Sequence, residues 1–376
     1  KDFRVSFLYF FYTKKMLVKF TNIKKYRAQK SGGVSMTLYF ASVLSGLEYV
    51  LSNEINNKVS DSEIIQINRG KVFFTTAESF TCLSSLRSAD NLFQVIDQFQ
   101  IGPHKKHLSQ VSERISQLDL EFIDHKDLFW VNASRKGKQT YSRFELAKKA
   151  MEGINKRYPD WNIGTSQNHQ IEFRLDIEHH NVIFSLRLTD ATFRFRNQTR
   201  RFSRASLLPS VAHAMVWLSD PESKDVFVDF CCGSGTILSE RATYPANQII
   251  GGDISEAVTK IAKSNLDDSK VQVNVWDARK LPFSTGCVDK IVTNLPFGRQ
   301  ISPDEDLELF NHHIMIEVCR VLKPNGRAVI LSESVNQLFW EAKRLGLFCL
   351  ESYPLSLKGV NPTLFVFEKQ DGLRRK

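Results

Sequence analysis

The spacing of apolar and polar positions changes period several times along the chain, and each change predicts an element. Residues 37–41 read as a strand, and residues 46–55 as a helix because their apolar side chains recur at helical spacing. Residues 64–67 and 71–75 alternate on either side of Asn68-Arg69-Gly70, which predicts a hairpin. A helix over 77–86 and a strand over 92–98 complete a small α+β domain, residues 36–100. A second unit, residues 101–191, opens on a strand at 128–133. It continues through a basic loop at 134–138 and a helix at 143–157, and ends on paired strands at 171–177 and 181–189.

From residue 205 to 376 the pattern becomes that of a doubly wound α/β sheet. A helix over 206–218 leads into the apolar run 225–229, then a glycine turn and another helix. Strands follow at 248–253, 271–276, 288–293 and 326–331, with helices at 255–266 and 306–322 between them. Segments 348–355 and 363–368 form a terminal hairpin.

The chemistry lies where these strands end. Gly233 and Gly235 let the backbone approach a ligand closely ahead of Thr236, although a lone GxG also serves ordinary strand–helix turns. Three successive strands end in Asp229, Asp253 and Asp277, the second about 24 residues after the first. An acid at the second position can accept ribose hydroxyls, and one at the third an adenine amino group. Three acids would repel a pyrophosphate but suit a sulfonium cation, and the third glycine of a dinucleotide fingerprint is missing. The expected cofactor is therefore S-adenosyl-L-methionine, held by Asp229, Cys231, Gly233, Gly235, Thr236, Asp253, Ile254, Asp277, Ala278 and Asn294.

The fourth strand of this half ends in Asn294-Leu295-Pro296-Phe297, which resembles the Asn/Asp-Pro-Pro-aromatic motif of methyltransferases that modify exocyclic amino groups. An amine conjugated to a base is a poor nucleophile. The Asn294 side-chain oxygen and the Leu295 carbonyl could hold both its hydrogens, Pro296 would stiffen the turn, and Phe297 would stack on a flipped base. Positioning would then do most of the catalysis. Leu295 departs from the motif, at a position that acts through its carbonyl.

Composition sharpens this picture only locally. The apolar 42% and charged 24% are those of an ordinary globular protein, and no apolar run reaches the roughly 18 residues of a membrane span. Six cysteines show neither a CxxC pair nor metal-ligand spacing, so no metal site is expected, and reduced thiols suit a cytoplasmic protein. The net charge is +10, but residues 1–35 hold nine Lys or Arg against Asp2, leaving 10 − 8 = +2 for the rest. That basic stretch is expected to be a disordered or spurious extension, with a targeting presequence as the alternative. RNA contacts must therefore come from clusters: Arg135, Lys136, Lys138 and Arg143 in one element, and Arg194, Arg196, Arg200 and Arg201 in the linker 192–204. That linker holds five arginines and no acid among phenylalanines. A solvated linker docking its phenylalanines on a neighbouring domain is the plainer reading.

From Met36 onward the chain resembles the THUMP-domain RNA methyltransferases. The resemblance rests on Phe40 to Glu48 with Glu54, on 129–157 and 171–188, on Arg204 to Ala212, and above all on Thr293-Asn-Leu-Pro-Phe-Gly-Arg-Gln300. It implies a class I methyltransferase with a Rossmann-like seven-stranded sheet, preceded by an N-terminal ferredoxin-like domain and a THUMP domain that grip RNA. Only this resemblance adds Ser206 and Leu207 to the residues expected to hold the cofactor. The implied reaction is methylation of the 2-amino group of a guanosine, in the acceptor stem of tRNA. Eukaryotic relatives work with a small zinc-binding activator subunit. Ribosomal or small nuclear RNA, an adenine amino group, an inactive RNA-binding protein and an NAD-dependent oxidoreductase remain as alternatives.

Overall fold

Strand 129–136 alternates buried and half-exposed positions, as a sheet covered on one face requires, whereas strands 226–229 and 288–294 are buried on both faces. The computed structural model describes residues 30–31, 34–123, 127–196, 201, 206–266, 270–297, 306–357 and 359–370. Most of the basic stretch 1–35 therefore lies outside the described residues, as do Arg200, Arg204 and residues 298–300. The described part of that stretch is a two-stranded ladder of β1 (Lys30–Ser31) and β2 (Val34–Ser35).

The first unit comprises β3 (Thr37–Ser42), α1 (Glu48–Lys58), β4 (Glu63–Asn68), β5 (Lys71–Thr76), α2 (Phe80–Leu83) and β6 (Asn91–Gln100). The second comprises α3 (Ser109–Ile115), β7 (Phe129–Lys136), α4 (Arg143–Arg157), β8 (Ile171–Glu178) and β9 (Asn181–Arg187). Their strands form one seven-stranded sheet in the order β4-β5-β3-β6-β9-β8-β7. The units join where β6 runs antiparallel to β9, with Phe93 opposite Arg187 and Gln100 opposite Asn181. Helix α4 starts where its sequence says it should. Ser142 Oγ accepts from Glu145 N (3.2 Å) while Glu145 Oε2 accepts from Ser142 N (2.8 Å), so two otherwise unpaired amides are satisfied reciprocally.

The C-terminal half runs α5 (Pro209–Leu218), β10 (Val226–Asp229), α6 (Thr236–Arg241), β11 (Gln248–Asp253), α7 (Glu256–Asn265), β12 (Val271–Val275) and β13 (Val288–Asn294). It continues through α8 (Leu307–Val321), β14 (Leu322–Ser332), α9 (Val335–Arg344), β15 (Leu347–Pro354) and β16 (Thr363–Lys369). The sheet order is β12-β11-β10-β13-β14-β16-β15, with β16 antiparallel to both neighbours. This is the class I methyltransferase sheet, and its topological switch point lies between β10 and β13, where such sheets bind ligands.

The halves share a core. Val50, Leu51 and Ile55 of α1 belong to the same buried cluster as Val211, Met215 and Val216 of α5. A polar seam borders it. Glu54, fully buried, accepts from Lys58 Nζ (2.8 Å) and from the amides of Arg87 and Ser88 (both 2.9 Å). Arg87 reaches across the halves to Glu240 through Nε (2.8 Å) and Nη2 (3.0 Å). His213 is hydrogen-bonded through Nδ1 to Ser88 Oγ (3.0 Å) and through Nε2 to Tyr244 Oη (2.8 Å).

Several elements differ from their expected bounds. The helix expected over 77–86 is only the four residues of α2, where Ser84 Oγ donates to Thr81 O and draws the chain into turns. Arg135 and Lys136 are not in a loop but close β7, because β8 carries the parallel ladder on to Ile177 and Glu178. Strand β14 starts at Leu322 rather than at residue 326. Helices α3 and α9 had no counterpart in the sequence reading. No helix among the described residues is long and apolar enough to cross a membrane.

Candidate active site at the carboxyl edge

Strand alternation and the glycine turn bring the predicted residues to one edge. Asp229, Asp253 and Asn294 each end their strands, and Asp277 follows β12 by two residues. Gly233 and Gly235 both take positive φ (+52° and +84°), backbone that side chains rarely adopt. The turn is fastened from two sides. Asp253 Oδ2 accepts from Gly233 N (3.1 Å), and Leu266 lies where a Cβ on Gly235 would sit only 3.0 Å from its Cδ1. A Cβ on Gly233 would meet nothing within 4 Å, so that side of the turn is open.

The edge holds buried polar atoms without partners. Asp229 is fully buried; its Oδ1 accepts from Cys231 N (3.3 Å), the Thr293 side chain lies beside the carboxyl, and Oδ2 makes no well-formed hydrogen bond among the described residues. Burial pushes its carboxyl up to about 8, with the nearby Asp253 charge adding to the effect. Asn294 Oδ1 is buried without a partner among the described residues. A buried acceptor left unsatisfied is costly unless a ligand completes it. Burial also pushes the Cys231 thiol well up, so it stays protonated and unreactive.

The remaining predicted residues are distributed unevenly. Asp253 Oδ1 caps Ser255 N (3.0 Å), and Ile254 beside it is 62% exposed, an apolar surface at the mouth of the edge. Asp277 is held below the usual carboxylate range chiefly by hydrogen bonds from Arg279 (Nη2 to Oδ2, 2.6 Å), with Ala278 buried next to it. Thr236 opens α6 and is buried. Ser206 and Leu207 precede α5, whose first turn starts at Pro209, and Ser206 Oγ meets Ser234 Oγ at 2.7 Å. Leu295 is buried and donates its amide to Leu331 O (3.0 Å), while Phe297, after Pro296, is half-buried against the shared core.

The predicted RNA contacts fall into two groups. Arg135, Lys136, Lys138 and Arg143 are exposed between the end of β7 and the start of α4, and Lys136 pairs with Glu178 (2.6 Å) beside the β8–β9 turn. The linker leaves from the other end of β9, about 20 Å away along the strand. There Arg194 and Arg201 are exposed. Arg196 is a correction: its guanidinium donates to the carbonyls of Phe193 (3.0 Å) and Arg87 and lies 3.5 Å from Glu240. With 10% of its side chain exposed, it holds the two halves together rather than facing an RNA. One residue that no motif indicated is Asn265, which closes α7. Its amide bonds both the linker at Arg201 and the glycine turn at Ser234.

Comparison with known proteins agrees with this geometry. The RMKL-like methyltransferase domain family (UPF0020) matches residues 196–345. The mouse tRNA (guanine(6)-N(2))-methyltransferase THUMP3 is 30% identical, the match covering 78% of this chain and 80% of the mouse protein. The tRNA (guanine(6)-N2)-methyltransferase of Methanocaldococcus jannaschii is 21% identical over 78% of this chain and 90% of its own length. The bovine U6 snRNA (guanine-N(2))-methyltransferase THUMPD2 is 28% identical over 45% of this chain and 36% of its own. TrmN from Thermus thermophilus shares the fold, with a TM-score of 0.75 at 23% identity over 89% of this chain and 99% of TrmN. The chain belongs to the THUMP-domain RNA methyltransferases.

Proposed function

We propose that this enzyme transfers a methyl group from S-adenosyl-L-methionine to the 2-amino group of a guanosine in tRNA. The observation that carries the reading is the buried, unpartnered Asn294 Oδ1 at the end of β13, beside a switch point lined by acids. S-adenosylmethionine supplies an electrophilic methyl group when bound. Asp253 would hold its ribose hydroxyls, Asp277 and Ile254 its adenine, and Asp229 its positive charge or hydrogen-bond donors. The Gly233–Gly235 turn offers open backbone, and Ser206 and Leu207 lie alongside it. Asn294 Oδ1 would accept one amine hydrogen and the Leu295 carbonyl the other, favouring a tetrahedral nitrogen whose lone pair is available. Pro296 and Phe297 would orient the base. The surplus proton leaves for solvent after the new carbon–nitrogen bond forms, so no basic side chain is required.

A tRNA substrate is favoured over U6 snRNA by coverage. The tRNA-modifying relatives match 78% of this chain, which extends beyond the C-terminal half, whereas the snRNA-modifying relative matches 45% of it. The exposed Arg135, Lys136, Lys138 and Arg143 would contact RNA at one end of the N-terminal sheet, and Arg194 and Arg201 at the other. Six free thiols fit a reducing compartment such as the cytoplasm. The test is transfer of labelled methyl to total tRNA, with and without a small zinc-binding activator subunit, followed by nucleoside analysis. Label should enter 2-methylguanosine and fall at least roughly a hundredfold in Asn294→Ala. Label that persists in the variant, or that enters another nucleoside, would overturn the assignment.

A further inference from the structure

Asn265 ends α7, yet its side chain turns away from its own helix to two other segments. Nδ2 donates to Arg201 O (2.9 Å) and to Ser234 O (3.0 Å), and Oδ1 accepts from Arg201 N (3.0 Å). The amide therefore reads both backbone groups of one linker residue and one carbonyl of the glycine turn, using both of its polar ends. Bonding the N–H and C=O of a single residue fixes that residue in register, much as strand pairing does. Ser234 is buried, and its hydroxyl meets that of Ser206 at 2.7 Å, so the turn also touches the chain just before α5. Leu266, the next residue, supplies the apolar wall behind Gly235. Hydrogen bonds and packing from the end of α7 thus converge on the same turn.

We propose that Asn265 is a positioning residue for methyl-donor binding, tethering the linker at Arg201 to the Gly233–Gly235 turn. The proposal rests on reading the carboxyl edge as the donor site. Without the tether, the turn and the linker must be ordered when the donor binds, which weakens binding. The coupling is reciprocal, so donor binding strengthens the hold on Arg201. One consequence is specific. Trypsin must attack the carbonyl carbon of Arg201, whose oxygen accepts from Asn265 Nδ2.

The experiment compares wild type with Asn265→Asp, which keeps an acceptor for Arg201 N but loses both donors, and with Asn265→Ala. S-adenosylhomocysteine affinity is measured by calorimetry, and cleavage after Arg201 by mass spectrometry with and without that ligand. Both variants should lose roughly tenfold in affinity, about the loss of one well-made hydrogen bond. KM for the donor should rise more than kcat falls. Cleavage after Arg201 should rise in both variants, and S-adenosylhomocysteine should suppress it in wild type far more than in either. Folded variants with wild-type affinity and wild-type Arg201 cleavage would overturn the proposal alone. A wild type that does not bind S-adenosylhomocysteine would overturn the donor-site reading and this proposal with it. Should both variants fail to fold, exchange of the Arg201 amide hydrogen in wild type decides: slowing by the ligand supports the tether, and no change overturns it.

Discussion

Two buried carboxylates, one at the seam between the halves and one at the carboxyl edge, are treated in opposite ways. Glu54 has a lysine, two backbone amides and His213 around it. Burial alone would raise its carboxyl, but His213, Lys58 and the Ser88 amide hold it below the usual carboxylate range. Asp229 is equally buried, yet it faces only the Thr293 side chain and the Cys231 amide, one oxygen makes no well-formed hydrogen bond among the described residues, and its carboxyl is pushed up to about 8. A satisfied buried charge serves architecture, whereas an unsatisfied one costs stability and is retained where a ligand can complete it. The neighbouring Asn294 oxygen repeats the second pattern, so the active edge can be recognised by what is missing from it.

The sharpest way to break this comparison is to neutralise each carboxylate. Glu54→Gln leaves Lys58 and two amides facing a poor partner and should destabilise the fold by about 3–5 kcal/mol in urea unfolding. Asp229→Asn should do the reverse. It removes a carboxyl that burial keeps protonated at neutral pH, so the fold gains on the order of a few kcal/mol at pH 8, while S-adenosylhomocysteine affinity falls. Equal destabilisation by both changes would end the distinction.

The seam should also be sensitive to acid. Burial lowers His213 to about 4, so between its ordinary value of 6.5 and 4 the unfolded chain binds a proton that the folded chain refuses. The contribution of His213 should therefore be full above pH 6.5 and be lost as the pH drops towards 4, by up to about 3 kcal/mol, while the raised Asp229 carboxyl contributes the opposite slope over the same range. The difference in stability between wild type and His213→Gln should isolate the His213 part.

The smallest effect tests the edge. Asp229 in the free protein keeps its proton below about pH 8, and a ligand that needs the ionised form must release it. Affinity for S-adenosylhomocysteine should rise roughly tenfold per pH unit up to about 8 and level off above. In Asp229→Asn that rise should disappear, and a rise that persists would place the titrating group elsewhere.

How far the sequence showed these things depended on distance along the chain. The glycine turn, the acids that end or follow three strands and Asn294 were legible because each is a local pattern of a few residues at a strand end. The start of α4 was legible because its capping box is local too. Helix α9 was missed, and so was the merging of two predicted units into one sheet, which depends on β6 meeting β9 some 80 residues later. Asn265 carried no signal, because its role exists only once Arg201 and Ser234 lie beside it.

By itself the sequence determined the order along the chain of the strands in the two large sheets, most of the helices between them and which polar groups stand at the catalytic edge, since period, turn chemistry and strand ends are written in adjacent residues. Only the tertiary structure decided which of those polar groups are occupied. Arg196 read as a free cation until Glu240 and the Arg87 carbonyl engaged it, and Asp229 as an ordinary acid until packing removed its solvent. The physical reason is the same in both cases: desolvation and pairing are set by neighbours that only folding brings within a few ångströms.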